Sequence, residues 1–146
     1  MNLKRLGKYT ILLFLLLLLP VWHGCKKDGQ ERVPNIYVNF TIDITSGLYS
    51  ELQMIGGWVY VTGGWRGIVL YRNSMEEIVA LDRTSTYKPE SMGTQVVVEP
   101  GAPIAADTIN GMRYLLMDGS VLEGPVNIPL KRYGTTFDGI ILHVYN

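Results

Sequence analysis

Residues 36–44 read IYVNFTIDI, in which Ile36, Val38, Phe40, Ile42 and Ile44 alternate with Tyr37, Asn39, Thr41 and Asp43. Successive side chains leave a pleated strand on opposite faces, so this period of two marks a strand with one side in a core. The pattern recurs downstream at short spacing. Strands are predicted over 58–62, 68–72, 77–82, 95–99, 113–117, 131–137 and 140–145. Gly56-Gly57 and Gly63-Gly64 mark bends between them. Asp118-Gly119 and Asp138-Gly139 are two-residue hairpin signals of type I′, a turn that needs positive φ at both central positions. No segment sustains a period of 3.6, and 49–54 has room for one helical turn at most. Short strands, glycine-rich turns and no long helix point to an all-β sandwich or barrel. The chain has no internal repeat.

The N-terminus is of a different kind. Lys4, Arg5 and Lys8 precede nine unbroken apolar residues, Ile11 to Leu19; Pro20 ends the run and Gly24 stands before Cys25. A positive flank, a short apolar core and a small residue at the cut make a secretory signal. A spanning helix takes about 20 apolar residues, more than this run supplies. Cys25 is the single cysteine of the chain and sits where the mature protein would begin. The arrangement resembles a bacterial lipobox, although Trp22 and His23 stand where such a box has leucine and a small residue. The resemblance implies lipidation of Cys25 and attachment to a membrane by buried acyl chains, at about 0.8 kcal/mol per CH₂. Three parts follow: a signal peptide over 1–24, the lipidated cysteine with a polar tether over 25–35, and a β domain over 36–146. The place implied is the bacterial cell envelope, at the outer membrane, with the periplasmic or surface side left open.

Cleavage after residue 24 leaves 122 of the 146 residues, with ten of the thirteen basic residues and all thirteen acidic ones. A net charge near −3 argues against a nucleic-acid partner, which needs a basic footprint. Catalytic groupings are sparse. The glycine-rich run GGWVYVTGGWRG over 56–67 lacks the helix start that a phosphate loop needs, and its β-branched and aromatic neighbours make it strand–turn–strand. The mature chain's one histidine, His143, lies between Leu142 and Val144 and reads as a residue on a sheet surface. Glu76 and Glu77 are strand neighbours, which point to opposite faces. The sequon at Asn39-Phe40-Thr41 reads as chance in a bacterial strand. The reading is of a protein that is not an enzyme.

GGWVYVTGGWRGIVLYR over 56–72, EEIVALDRT over 76–84 and NGMRYLLMDGSVLEGPVNIPLKRY over 110–133 together resemble envelope lipoproteins with a Rieske-type domain. The likeness covers about 36–146. It implies three small antiparallel sheets, two loops (83–92 and 105–112) meeting at one tip, and a covering segment with Gly124-Pro125 and Pro129. A Rieske [2Fe–2S] cluster takes two thiolates on one iron and two imidazoles on the other. The likeness places Ser85 and Tyr87 at the first ligand pair, and Asp107 and Asn110 at the second. Hydroxyl, carboxylate and amide oxygens are hard donors in place of soft thiolates, so the cluster is expected to be lost and no metal or other cofactor is expected. Tyr87 is the expected plug of the vacated site.

Two functions remain open at this level. One is a non-enzymatic, membrane-anchored envelope lipoprotein acting as a binding or structural module. The other is an envelope electron-transfer protein holding iron through unorthodox or partner-supplied ligands. Tyr87, Met92, Ile109, Met112 and Tyr114 crowd the two tip loops. The expectation is that Tyr87 and Tyr114 pack inward while Met92 and Met112 stay outside as a partner surface.

Overall fold

The computed structural model describes residues 33–90, 94–101 and 103–146, so the leader, Cys25 and Met92 lie outside it. The described chain is all-β, in antiparallel sheets that include a curled half-barrel. Ten strands run in chain order: β1 Asn39–Asp43, β2 Trp58–Val61, β3 Ile68–Arg72, β4 Ile78–Asp82, β5 Val97–Val98, β6 Ile104–Asp107, β7 Met112–Leu115, β8 Val121–Glu123, β9 Arg132–Phe137 and β10 Ile141–Tyr145. A 3₁₀ segment, Gly47–Gln53, occupies the place of the single expected helical turn and buries Leu52.

The strands form two sheets, ordered β1-β10-β9-β4-β3-β2 and β5-β6-β7-β8. The larger sheet has two halves that share β9: Gly134 to Phe137 pair with β10, while Arg132 and Tyr133 pair with β4. Of the three small sheets anticipated, two are thus fused through β9.

Alternation along β3 and β4 explains how the sheets stack. Ile68, Leu70, Ile78 and Ala80 face one core with Ile42, Leu52, Leu142 and Val144. Val69, Tyr71, Val79 and Leu81 face a second core with Val98, Ala105, Met112 and Tyr114. Both strands are buried along their whole length, as expected of strands covered on two faces. Of the 36–44 pattern, Val38, Ile42 and Ile44 are buried in the first core and Phe40 packs against it, with Ile42 opposite Leu142, whereas Ile36 lies before β1 and is exposed.

The hairpin signals fall between β7 and β8 and between β9 and β10, but the turns are not type I′. Only Gly119 and Gly139 take positive φ there. The aspartates act through their side chains instead. Asp118 Oδ1 accepts the Ser120 N–H at 2.8 Å, and Asp138 Oδ1 accepts those of Ile140 and Ile141 at 2.9 and 2.7 Å. A short aspartate can bond the backbone two residues on, which makes a turn with positive φ at the glycine alone.

Candidate functional site

The second core and its rim contain the positions that the likeness assigns to cluster ligands. After β4 the chain makes an isolated antiparallel bridge, Thr84 to Gln95, and the Ser85 N–H donates to the Thr94 carbonyl at 2.6 Å. Ser85 is fully buried. Its Oγ lies 3.2 Å from the Tyr114 hydroxyl, which also accepts the Thr86 N–H at 2.9 Å and meets Thr86 Oγ1 at 2.9 Å. Thr86 Oγ1 in turn donates to the Ile128 carbonyl at 2.6 Å. This chain of bonds ties the loop after β4 to β7 and to the segment 124–130 that crosses over it. A buried hydroxyl needs such partners, and Tyr114, with its ring in the second core, brings one to the right place.

The second pair of positions does a different job. The β6–β7 loop is confined to 108–111, because 104–107 and 112–115 are strand. Asp107 is buried, and its carboxylate organises that loop. Oδ1 accepts the N–H groups of Ile109 (3.1 Å) and Asn110 (3.2 Å), while Oδ2 accepts the Asn110 side-chain amide (2.8 Å). Gly111, at φ +70°, closes the turn with its N–H on the Asp107 carbonyl.

The chain matches no family model and no curated protein. The donors themselves therefore decide whether a [2Fe–2S] cluster suits these positions. Ser85 is engaged by Tyr114, both Asp107 oxygens are engaged within their own loop, and all are hard ligands. The four residues do not fit the cluster. Nor do the described residues contain three histidine, cysteine or acidic side chains grouped to hold a metal ion.

Two expectations about the tip are corrected. Met112 is fully buried in the second core rather than outside, and a Cβ on Gly124 would overlap its Sδ. As the first residue of β7, paired with Asp107, Met112 has its side chain aimed between the sheets. It belongs to no partner surface; Met92, its expected companion, lies outside the described residues. Tyr114 is buried as expected, and it, not Tyr87, meets Ser85. Tyr87 packs half-buried on the edge of the second core with the Lys88 ammonium 5.0 Å from its ring. Ile109 is well exposed on the loop tip.

His143 lies on the sheet surface, where its Nε2 is 2.8 Å from Asn39 Oδ1. Glu77 is engaged by Asn73 and by Arg132, so Glu76 and Glu77 form no acid–base pair.

Sequence reasoning passed over Asp82, which is fully buried at the end of β4. Its Oδ1 accepts the Thr84 N–H (2.9 Å) and hydroxyl (2.6 Å); its Oδ2 accepts the Trp65 N–H and the Tyr133 hydroxyl, both at 2.8 Å. The signal was available: a carboxylate follows Ile-Val-Ala-Leu in a strand with no polar alternation. Four donors on one carboxylate clamp the β2–β3 turn to β4 and β9. At Gly64 in that turn, φ is +62° and a Cβ would lie 2.3 Å from Asp82 Oδ2, so only glycine fits.

Proposed function

We propose that the chain is a non-enzymatic lipoprotein of the bacterial envelope, anchored at the outer membrane through Cys25, with a degenerate Rieske-like domain used as a binding or structural module. The observation that carries the reading is the closed hydrogen-bond pattern at the former ligand positions. Ser85 bonds Tyr114, and Asp107 and Asn110 bond within their own loop, which supports a role for these side chains in the fold rather than in holding iron. The leader and the lone Cys25 supply the anchor. Thioether-linked and N-terminal acyl chains would hold the domain at the bilayer without a spanning helix.

Protein extracted from its native membrane tests both halves. Mass spectrometry should find an acylated cysteine as the first residue, and Cys25→Ala should release the protein from the membrane fraction. The extracted protein should show no visible absorbance of an iron–sulfur cluster. A Cys25→Ala variant that stays membrane-bound overturns the anchor, and a cluster spectrum overturns the non-redox reading in favour of electron transfer.

A further inference from the structure

The turn between β2 and β3 forms one wall of an open cleft of about 500 Å³, lined by Tyr60, Trp65, Arg66, Arg83, Gln95 and the glycines of the turn. No acidic side chain lines it. Arg83 lies with its guanidinium 3.5 Å from the Tyr60 ring centre. Its Nε donates to the Val96 carbonyl at 3.2 Å, and the Tyr60 hydroxyl is fixed by the Val98 N–H at 2.8 Å. Among the described residues no carboxylate or carbonyl takes up the Nη groups of Arg83. Burial holds its pKa below the ordinary arginine value, which is the direction expected of a cation short of counter-charge. The facing wall is rigid, because the Trp65 N–H is bound to buried Asp82 and Gly64 is wedged against the same carboxylate. Trp65 remains 43% exposed.

We propose that this cleft binds a small ring-bearing carboxylate, with Arg83 holding the carboxylate and Trp65 packing on the ring. The planar guanidinium fork matches a planar carboxylate through two parallel N–H···O bonds. Stacking on Tyr60 and the bond to Val96 fix the plane of that fork before any ligand arrives, which lowers the ordering cost of binding. An exposed indole beside a cation suits the apolar face of a sugar or an aryl ring. The volume is that of ordinary small-molecule sites, which run to about 300–1,000 Å³.

Ligand-observed saturation-transfer NMR on the full chain in mild detergent tests it, using glucuronate, benzoate and glucose as probes. Transfer to glucuronate alone assigns a sugar acid, to benzoate alone an aryl acid, and to both the wider class. Arg83→Gln should weaken the carboxylate probe at least about tenfold, the scale of losing a charge-assisted hydrogen bond. Trp65→Ala should weaken it too while leaving the unfolding midpoint in place. The proposal fails if neither carboxylate shows transfer, or if glucose shows transfer equal to that of the carboxylates. It also fails if Arg83→Gln keeps full affinity. Should Arg83→Gln not fold, Trp65→Ala decides, and unchanged affinity in that variant overturns the site.

Discussion

Replacing Asp82 by asparagine changes one atom and should unsettle the whole β2–β3 corner. Two of the four donors on the carboxylate, the N–H groups of Trp65 and Thr84, belong to the backbone and cannot turn away. The two hydroxyls, of Tyr133 and Thr84, can rotate to become acceptors. Asparagine offers one oxygen and one NH₂. Whichever way the amide is set, its NH₂ faces one of those backbone N–H groups, so one buried donor is orphaned. That costs about 1–3 kcal/mol. The bonds on the remaining oxygen lose their charge assistance, about 1 kcal/mol each, and release from burying a charge returns part of this. The net is about 3 kcal/mol of destabilisation. At roughly 3–5 °C per kcal/mol for a domain of this size, the melting midpoint should fall by about 10 °C. Thermal unfolding followed by circular dichroism measures it. A fall of less than about 2 °C would show that the four donors do not depend on the carboxylate, and the account of this corner would be wrong.

Tyr114→Phe removes the acceptor of the buried Thr86 N–H and the partner of Ser85, so unfolding should be easier by about 1–3 kcal/mol in chemical denaturation; an unchanged midpoint would detach Tyr114 from the tip. Met112→Glu puts a charge into a fully buried position and should leave little folded protein, which soluble yield and circular dichroism will report; a stable variant would return Met112 to the surface. The carboxyls of Asp43, Asp118 and Asp138 are held below 3.8 mainly by hydrogen bonds from Thr45, Ser120 and Ile141 respectively. Those of Glu77 and Glu99 are held below 4.5 mainly by bonds from Asn73 and Arg113. Their contribution is present above the ordinary carboxylate range and lost as pH falls through the lowered values. Burial first, and the Asp82 carboxylate second, raise the Tyr133 phenol above 10.0, a contribution present below that pH and lost above it. The melting midpoint should therefore be flat between roughly pH 5 and 9 and decline on both sides; a rise below pH 4 would reverse the assigned sign.

Strands that carry a strong local signal were legible in the sequence, and the two that do not were missed. β6 is Ile-Ala-Ala-Asp, short and built of small residues, with neither alternation nor β-branched enrichment. It is a strand because β5 and β7 flank it and the small Ala105 lets the sheet approach the second core. β8, Val-Leu-Glu, is three residues long and is held through a bulged pairing to β7. Pairing energy of this kind comes from neighbours in space, which periodicity in one segment does not encode. The double burial of β3 and β4 was also hidden, because a continuous apolar run is compatible with one covered face or two.

The tip shows the same limit at the level of single side chains. Sequence reasoning had two tyrosines for one polar site and chose Tyr87, the residue that the Rieske resemblance aligns with a ligand. What decides the choice is strand parity. Tyr114 is two residues after Met112 on β7, so both point from the same face of the strand into the second core. Once β7 begins at Met112, burying one residue buries the other, and the Tyr114 hydroxyl is delivered to Ser85 and Thr86 as a consequence. The predicted strand over 113–117 left Met112 just outside, in a loop whose side chains had no fixed parity. An error of one residue at a strand boundary therefore turned a core methionine into a surface one and gave the hydroxyl to the wrong tyrosine. The same parity places Arg113 on the opposite face, where it binds Glu99 at 2.8 Å and Glu123 at 2.7 Å in half-open solvent. Polar and apolar residues of β7 thus agree on one register. The hydrogen bonds around Ser85 follow from that register as much as from the identities of Ser85 and Tyr114 themselves.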